Sequence, residues 1–144
     1  MKDSSGRFIV YDGKWYGVMD AGKKLIAPLK FKTIEYKEPF YFLQESEDKT
    51  LLLTEENEIK DLQCRMESVM YDEESKNYLL RNYDNGQNVM IDRKGSILSR
   101  FTGDYELLKK GDYYYFKDML LGKDERYKSY YVNKWTGVVY RSGK

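Results

Sequence analysis

The sequence predicts an all-β fold, and three observations lead to that prediction. Aromatic residues make up 16% of the 144-residue chain, with fifteen tyrosines, and aromatic side chains favour strands over helices. Apolar and polar residues alternate around the opening turns, as they do in half-buried strands. A pattern of apolar run, short polar residue, turn and second apolar run occurs four times. Together these features predict about eleven strands in four repeats, without a convincing helix.

The recurring pattern is that of a β-hairpin whose turn opens with a short polar residue. This position is occupied by Asp20, Thr54, Asp92 and Asn133, at intervals of 34, 38 and 41 residues. Such side chains hydrogen-bond the backbone of the turn that they open. The residues that would accommodate a positive φ in the four turns are Gly22, Asn57, Gly95 and Gly137.

A further strand with its own turn precedes each hairpin, and Asp12-Gly13 and Asn85-Gly86 are strong hairpin signals there. Third strands are predicted in LKFKTIEYK, CRMESVMYD and FTGDYELLKK, after the first three hairpins. The segment EENEIKDLQCRMESVM taken alone has a helical pattern, but the repeat alignment favours strand, turn and strand. We therefore expect one domain over residues 1–144, with repeats at approximately 7–38, 39–75, 76–111 and 112–144. Small antiparallel sheets side by side would form a propeller-like or solenoid-like array.

The segment GKWYGVMD at 13–20, followed by GKKLIAP at 22–28 and the aromatic Phe31, resembles the bacterial WG repeat. Units of that family read roughly Gly-Lys-Trp-Gly-Tyr-Ile-Asp, then Gly-Lys, an apolar pair, Pro and an aromatic residue. The first repeat departs from this pattern by the inserted Tyr16 and by a hairpin one residue shorter, and the other repeats lack Trp-Gly and Pro. The resemblance implies a stack of β units that mediates interactions, with no shared active site.

The composition closes the commonest catalytic routes. The chain has no histidine and a single cysteine, Cys64, which leaves no Ser-His or Cys-His nucleophile and no cysteine cage for a metal. Phosphate-binding and calcium-binding loop motifs are also missing. We therefore expect a non-enzymatic protein without metal or cofactor. A carboxylate-dependent hydrolase, for which Asp20, Asp92 and Asp104 are available, is the alternative that these absences leave open.

Charge is unevenly distributed along the chain, although the net charge is only +1. Residues 39–75 contain three Lys or Arg against eleven Asp or Glu, whereas the other three repeats are mildly basic. Glu55, Glu56 and Glu58 are the centre of this acidic repeat and a candidate docking site for a basic protein. The alternative interpretation is a solubilising edge that discourages pairing between sheets. Nucleic acid is a poor candidate partner because the basic residues are diluted.

Aromatic residues provide a second candidate surface in the fourth repeat. Alternation in DYYYFKD at 112–118 places Tyr113 and Tyr115 on one face and Tyr114 and Phe116 on the other. Packing against neighbouring sheets explains such rings, and a platform for a sugar or peptide is the functional interpretation. The candidate binding rings are Tyr114, Tyr131 and Trp135.

From the sequence we expect an interaction module that binds a protein partner. Carbohydrate or another cell-surface ligand on the aromatic face is the alternative. No apolar stretch reaches the roughly 18 residues of a membrane span, and the first ten residues lack the apolar core of a signal peptide. A cytoplasmic location is therefore slightly favoured, or secretion if a signal peptide has been removed.

Overall fold

The computed structural model describes residues 2–46, 48–82, 86–102, 105–118 and 129–141. Within these ranges every regular element is a β-strand, which confirms the all-β prediction. The described strands number fifteen and form four antiparallel sheets, so the prediction of about eleven strands is too low. Among the same residues, no helix has the length and apolar character needed to cross a membrane.

Each sheet is a meander whose strands pair in chain order. Sheet 1 contains β1 (Phe8–Tyr11), β2 (Tyr16–Met19) and β3 (Leu25–Phe31). Sheet 2 contains β4 (Thr33–Lys37), β5 (Phe40–Ser46), β6 (Lys49–Leu53) and β7 (Ile59–Asp61). Sheet 3 contains β8 (Ser68–Tyr71), β9 (Tyr78–Arg81), β10 (Gln87–Ile91) and β11 (Ile97–Thr102). Sheet 4 contains β12 (Tyr105–Lys110), β13 (Tyr113–Asp118), β14 (Ser129–Asn133) and β15 (Val139–Arg141).

The predicted third strands belong to the sheet that follows them. LKFKTIEYK divides at Lys32 into the end of β3 and the whole of β4, and β4 pairs with β5 through Tyr36 opposite Tyr41. A short connection lets β4 pair with the strand that follows it, which is the usual arrangement for consecutive strands. The segment EENEIKDLQCRMESVM contains β7 and β8, as the repeat alignment predicts.

The hydrogen bonds of the turns confirm the capping role of the polar anchors. Asp20 Oδ1 accepts the Lys24 amide at 2.8 Å, and Thr54 Oγ1 accepts the Glu58 amide at 3.1 Å. Asp92 Oδ1 accepts two amides of its turn at 2.9 Å. Asn133 Oδ1 likewise accepts two amides of its own turn, so a local structural task accounts for the side chains at all four anchors.

Positive φ falls on Asn57, Gly95 and Gly137, as predicted, but in the first turn it falls on Lys23 at 67° and the expectation for Gly22 is wrong. The first three turns share one geometry, in which the third residue after the anchor donates its amide to the anchor carbonyl. That third residue must be left-handed, and in the first turn it is a lysine. The fourth turn is one residue longer.

The described chain divides into two compact units, Met1–Arg65 with sheets 1 and 2, and Met66–Lys144 with sheets 3 and 4. In unit 1, sheet 1 packs onto sheet 2 through a buried cluster that comprises Val18, Ala27, Phe31, Tyr41, Leu43, Leu51 and Leu53. In unit 2, sheet 3 packs onto sheet 4 through a buried cluster that comprises Leu79, Met90, Phe101, Tyr114, Phe116 and Val132. Each unit therefore has its own apolar core between two sheets.

Candidate interaction surface

Strand β13 has one buried and one accessible face, and the sequence alternation correctly predicts which rings share each face. Tyr114 and Phe116 are buried in the core of unit 2. Tyr113 is exposed and Tyr115 is half-buried on the opposite face. The period of two in a strand thus separates four consecutive aromatic residues into a core pair and a surface pair.

Strand register aligns the accessible rings across three strands of sheet 4. Tyr115 lies opposite Tyr131, and Tyr131 lies opposite Tyr140. The ring centroids of Tyr115 and Tyr131 are 4.9 Å apart. Tyr113 contacts Tyr131 and Tyr140 edge-on, with distances of 6.3 and 6.1 Å between the ring centroids. We call the contiguous surface of Tyr113, Tyr115, Tyr131 and Tyr140 the tyrosine face.

The tyrosine face is accessible and has a cation beside it. Tyr113 and Tyr131 are each 37% exposed, and Tyr140 is 50% exposed. Lys110 Nζ lies 4.8 Å from the centroid of the Tyr115 ring, within the range of a cation–π contact. The surface therefore presents rigid amphipathic rings with the positive charge of Lys110 beside them.

Tyr114, which the sequence suggests as a binding residue, does not belong to this surface. It is 4% exposed and packs in the core of unit 2. Its hydroxyl donates to Asp72 Oδ2 at 2.9 Å. Burial raises the pKa of the Tyr114 phenol, and the bond to Asp72 raises that pKa further. The alternation placed Tyr114 and Tyr113 on opposite faces, but it could not say which face is covered.

Trp135 is 49% exposed in the turn between β14 and β15. Its indole nitrogen donates to Asp112 Oδ1 at 3.4 Å, and Lys134 Nζ lies 5.9 Å from its ring. This turn follows Asn133, which lies opposite Tyr113 in the sheet. Trp135 is therefore at the end of sheet 4 where the tyrosine face begins.

The acidic residues occupy a surface in the other unit. Glu55, Glu56 and Glu58 are exposed in the turn between β6 and β7 of sheet 2. Asn57, with a φ of 66°, holds the centre of this turn. The structure therefore places Tyr131 and Trp135 in unit 2 and the three glutamates in unit 1.

A buried polar cluster in unit 1 is absent from the sequence-based predictions. Tyr41 donates its hydroxyl to Asp3 Oδ2 at 2.9 Å, and Arg7 Nε donates to the same oxygen at 2.8 Å. Burial alone would raise the pKa of Asp3, but hydrogen bonds from Ser5, Tyr41 and Arg7 outweigh it and lower the pKa to about 2. Arg7 also donates to the Thr54 carbonyl at 2.8 Å, which links the cluster to the next sheet.

Unit 2 contains the same arrangement with other residues. Asp72 accepts the Tyr114 hydroxyl, as Asp3 accepts that of Tyr41, and its pKa is lowered by hydrogen bonds that outweigh burial. Lys109 Nζ lies 3.2 Å from Asp72 Oδ1. Asn77 replaces Arg7 and donates to the Lys134 carbonyl at 2.7 Å. We call the two arrangements the Asp3 cluster and the Asp72 cluster.

These clusters link one sheet to the next, and their carboxylates are bonded within the protein. Both oxygens of Asp3 and both of Asp72 accept hydrogen bonds from the protein. A pocket of about 150 Å³ beside the Asp3 cluster is lined by Asp3, Ile9, Tyr36 and Tyr41. In the described ranges, no group of three or more Cys, Asp or Glu side chains could hold a metal ion. Asp104, one of the three carboxylates considered for hydrolysis, lies outside the described residues.

A scan against protein-family models found no match to the chain, and a search of curated proteins found none either.

Proposed function

We propose that the chain is a non-catalytic interaction module and that the tyrosine face of sheet 4 binds a protein partner. The observation that carries this proposal is the accessible row of tyrosines across β13, β14 and β15. Tyrosine gives a large amphipathic contact area at a low cost in conformational entropy, and it is enriched where proteins bind one another. Trp135 would extend the contact at one end of the face.

The geometry of the rings supports a protein partner over a carbohydrate. The planes of Tyr113 and Tyr131 are 88° apart, those of Tyr113 and Tyr140 are 75° apart, and those of Tyr115 and Tyr131 are 38° apart. Sugar rings stack on flat aromatic surfaces, whereas a protein surface offers side chains of many orientations. Carbohydrate remains the alternative ligand of the same face.

The acidic turn is a second route to a protein partner. Glu55, Glu56 and Glu58 project from one exposed turn, which suits attraction of a basic protein.

We also propose that the four sheets form a propeller-like or solenoid-like array, as the resemblance to WG-repeat proteins implies. The repetition of small antiparallel sheets supports this proposal.

Selection from a random peptide library on the purified chain, with a glycan panel in parallel, tests the proposal. We expect selected peptides that bind the wild type and bind at least tenfold more weakly to the double variant Tyr131→Thr, Tyr140→Thr. The matched control is the triple charge reversal of Glu55, Glu56 and Glu58 to Lys, which should leave binding to the tyrosine face unchanged. Glycans that bind while no peptide does would replace the protein partner with a carbohydrate. Peptides whose binding is weakened by salt and is lost only in the triple charge-reversal variant would place the binding site at the acidic turn.

A further inference from the structure

The tyrosine face has a buried counterpart in sheet 2. Sheets 2 and 4 share their register, because Tyr41 lies opposite Leu53 where Tyr114 lies opposite Val132. The residues of sheet 2 that correspond to Tyr113, Tyr115 and Tyr131 are Phe40, Phe42 and Leu52. All three are at most 1% exposed. The same face of the repeating sheet is therefore covered in sheet 2 and accessible in sheet 4.

Sheet 1 has an accessible face on the other side of the repeating sheet. Phe8 and Val10 of β1 share a face with Met19 and Leu25, which follow them across the sheet. The first three are partly exposed and Leu25 is 39% exposed. We call these four residues the Phe8 face.

The Phe8 face also has a buried counterpart. Ile9 opposite Val18 in sheet 1 corresponds to Leu79 opposite Met90 in sheet 3. The Phe8 face thus corresponds to a face of sheet 3 on which Tyr78, Leu80, Val89 and Ile91 of the two inner strands are each at most 1% exposed. Ile97 of the edge strand β11, the counterpart of Leu25, is 41% exposed. The inner strands of sheets 2 and 3 are therefore covered on both faces, whereas the tyrosine face of sheet 4 and the Phe8 face of sheet 1 are at least partly accessible. On the other face of sheet 1, Ile9 and Tyr11 of the edge strand β1 are 36% and 56% exposed.

Packing inside the two units follows one rule. In unit 1 the face of sheet 1 that contains Val18 packs on the face of sheet 2 that contains Tyr41. In unit 2 the face of sheet 3 that contains Met90 packs on the face of sheet 4 that contains Tyr114. By strand register, the tyrosine face is equivalent to the faces of sheets 1 and 3 that contain Val18 and Met90. The Phe8 face is equivalent to the faces of sheets 2 and 4 that contain Tyr41 and Tyr114. The two accessible faces are thus the two complementary halves of a sheet-to-sheet contact.

We propose that the tyrosine face of one copy of the chain packs on the Phe8 face of a second copy. This inference rests on the proposed function, because it names the protein that the tyrosine face binds. The rings of Tyr115 and Tyr131 would cover Val10 and Met19, and a methionine sulfur beside an aromatic ring is favourable. The contact joins two different surfaces, so it is heterologous and head-to-tail.

Sedimentation velocity over a range of concentrations tests the contact, with one set of variants for each face. Tyr131→Thr, Tyr140→Thr alters the tyrosine face, and Val10→Thr, Leu25→Thr alters the Phe8 face. We expect the wild type to associate with rising concentration and each variant alone to associate at least tenfold more weakly. Each variant keeps one intact face, so an equimolar mixture should form a dimer. The far-ultraviolet circular dichroism of each variant establishes that it is folded.

Three results would overturn the inference. They are a wild type that stays monomeric at every concentration, an association that neither pair of substitutions weakens, and a mixture of folded variants that forms no dimer. If the Val10→Thr, Leu25→Thr variant fails to fold, Leu25→Glu alone, at an exposed position, replaces it in the mixture. A monomeric wild type that binds selected peptides through Tyr131 would remove this inference and keep the proposed function.

Discussion

The Asp3 cluster of unit 1 and the Asp72 cluster of unit 2 each link two sheets through a carboxylate, but the cation beside the carboxylate differs. Each ties a turn carboxylate to a tyrosine hydroxyl of the next sheet, at 2.9 Å in both units. In unit 1 the carboxylate is paired with Arg7, whose side chain is 5% exposed, whereas in unit 2 it is paired with Lys109, which is 49% exposed. The part that the two units share is the link between sheets, and this link accounts for both carboxylates without a further role.

The tyrosine face has no such repetition. The counterparts of Tyr113, Tyr115 and Tyr131 in sheet 2 are the buried apolar side chains of Phe40, Phe42 and Leu52, and the counterpart of Tyr140 is the half-buried Lys60. What recurs in both units therefore serves the fold, and what differs at equivalent positions is the better candidate for function.

The largest effect is expected for Arg7→Ala. The substitution leaves the Asp3 carboxylate, which is 3% exposed, without its cation, and it removes a donor from the Thr54 carbonyl. Loss of one partner of a buried ion pair costs about 3 to 5 kcal/mol. Asn77→Ala, the matched change in unit 2, removes neutral hydrogen bonds and should cost about 1 to 3 kcal/mol. Urea unfolding measures both, and equal losses would contradict the distinction between the clusters.

Removal of the tyrosine hydroxyls should have nearly the same effect in the two units. Tyr41→Phe and Tyr114→Phe each delete one hydrogen bond to a carboxylate, which is worth about 1.5 to 3 kcal/mol. The rings stay in place, so apolar packing is preserved. Chemical denaturation of the two variants should therefore give similar losses. A loss in only one unit would show that the clusters are not equivalent.

The Asp3 cluster should make stability depend on pH in a narrow acidic window. The pKa of Asp3 falls from its ordinary value of 3.8 to about 2 in the folded chain. The resulting stabilisation, about 2 kcal/mol, is complete above pH 4 and is lost as the pH falls through the folded pKa. The free energy of unfolding, measured from pH 5 downwards, should thus fall less steeply in Asp3→Asn than in the wild type. Parallel curves would argue against a strongly bonded Asp3.

The smallest effects concern the turns of sheets 1 and 3, which share one geometry. Lys23 adopts a φ of 67° where Gly95 adopts 88°. A left-handed lysine costs about 1 kcal/mol, so Lys23→Gly should stabilise the chain by up to that amount. Gly95→Lys should destabilise the chain by a similar amount. The melting temperatures of both variants test this prediction. It would be contradicted if both substitutions raised the melting temperature or both lowered it.

Local pattern predicted most of the secondary structure. The anchors Asp20 and Asp92 could be recognised because their hydrogen bonds reach only two to four residues along the chain. The split at Lys32 was missed because a strand does not reveal in its own sequence which neighbour it pairs with. The position of Lys23 was missed because Gly22, one residue earlier, offered the stronger local signal.

The candidate site depended on contacts that are distant in sequence. Tyr41 and Asp3 are far apart in the chain, and no local pattern connects them. Alternation separated Tyr113 from Tyr114 correctly, but burial by a neighbouring sheet decides which of them a partner can reach. Tyr131 and Trp135 were selected from the sequence for their aromatic character, and the structure places both at accessible positions.

The central claim is that the tyrosine face serves binding and contributes little to the fold. It is tested most directly by the affinity of the folded Tyr131→Thr, Tyr140→Thr variant for the peptides selected on the wild type, measured beside its free energy of unfolding. We predict an affinity at least tenfold weaker, with a loss of stability of no more than about 1 kcal/mol for each substitution. Leu52→Thr, at the buried counterpart of Tyr131, should instead cost about 3 kcal/mol or more. Unchanged affinity in the tyrosine variant, or a loss of stability as large as that of Leu52→Thr, would contradict the claim.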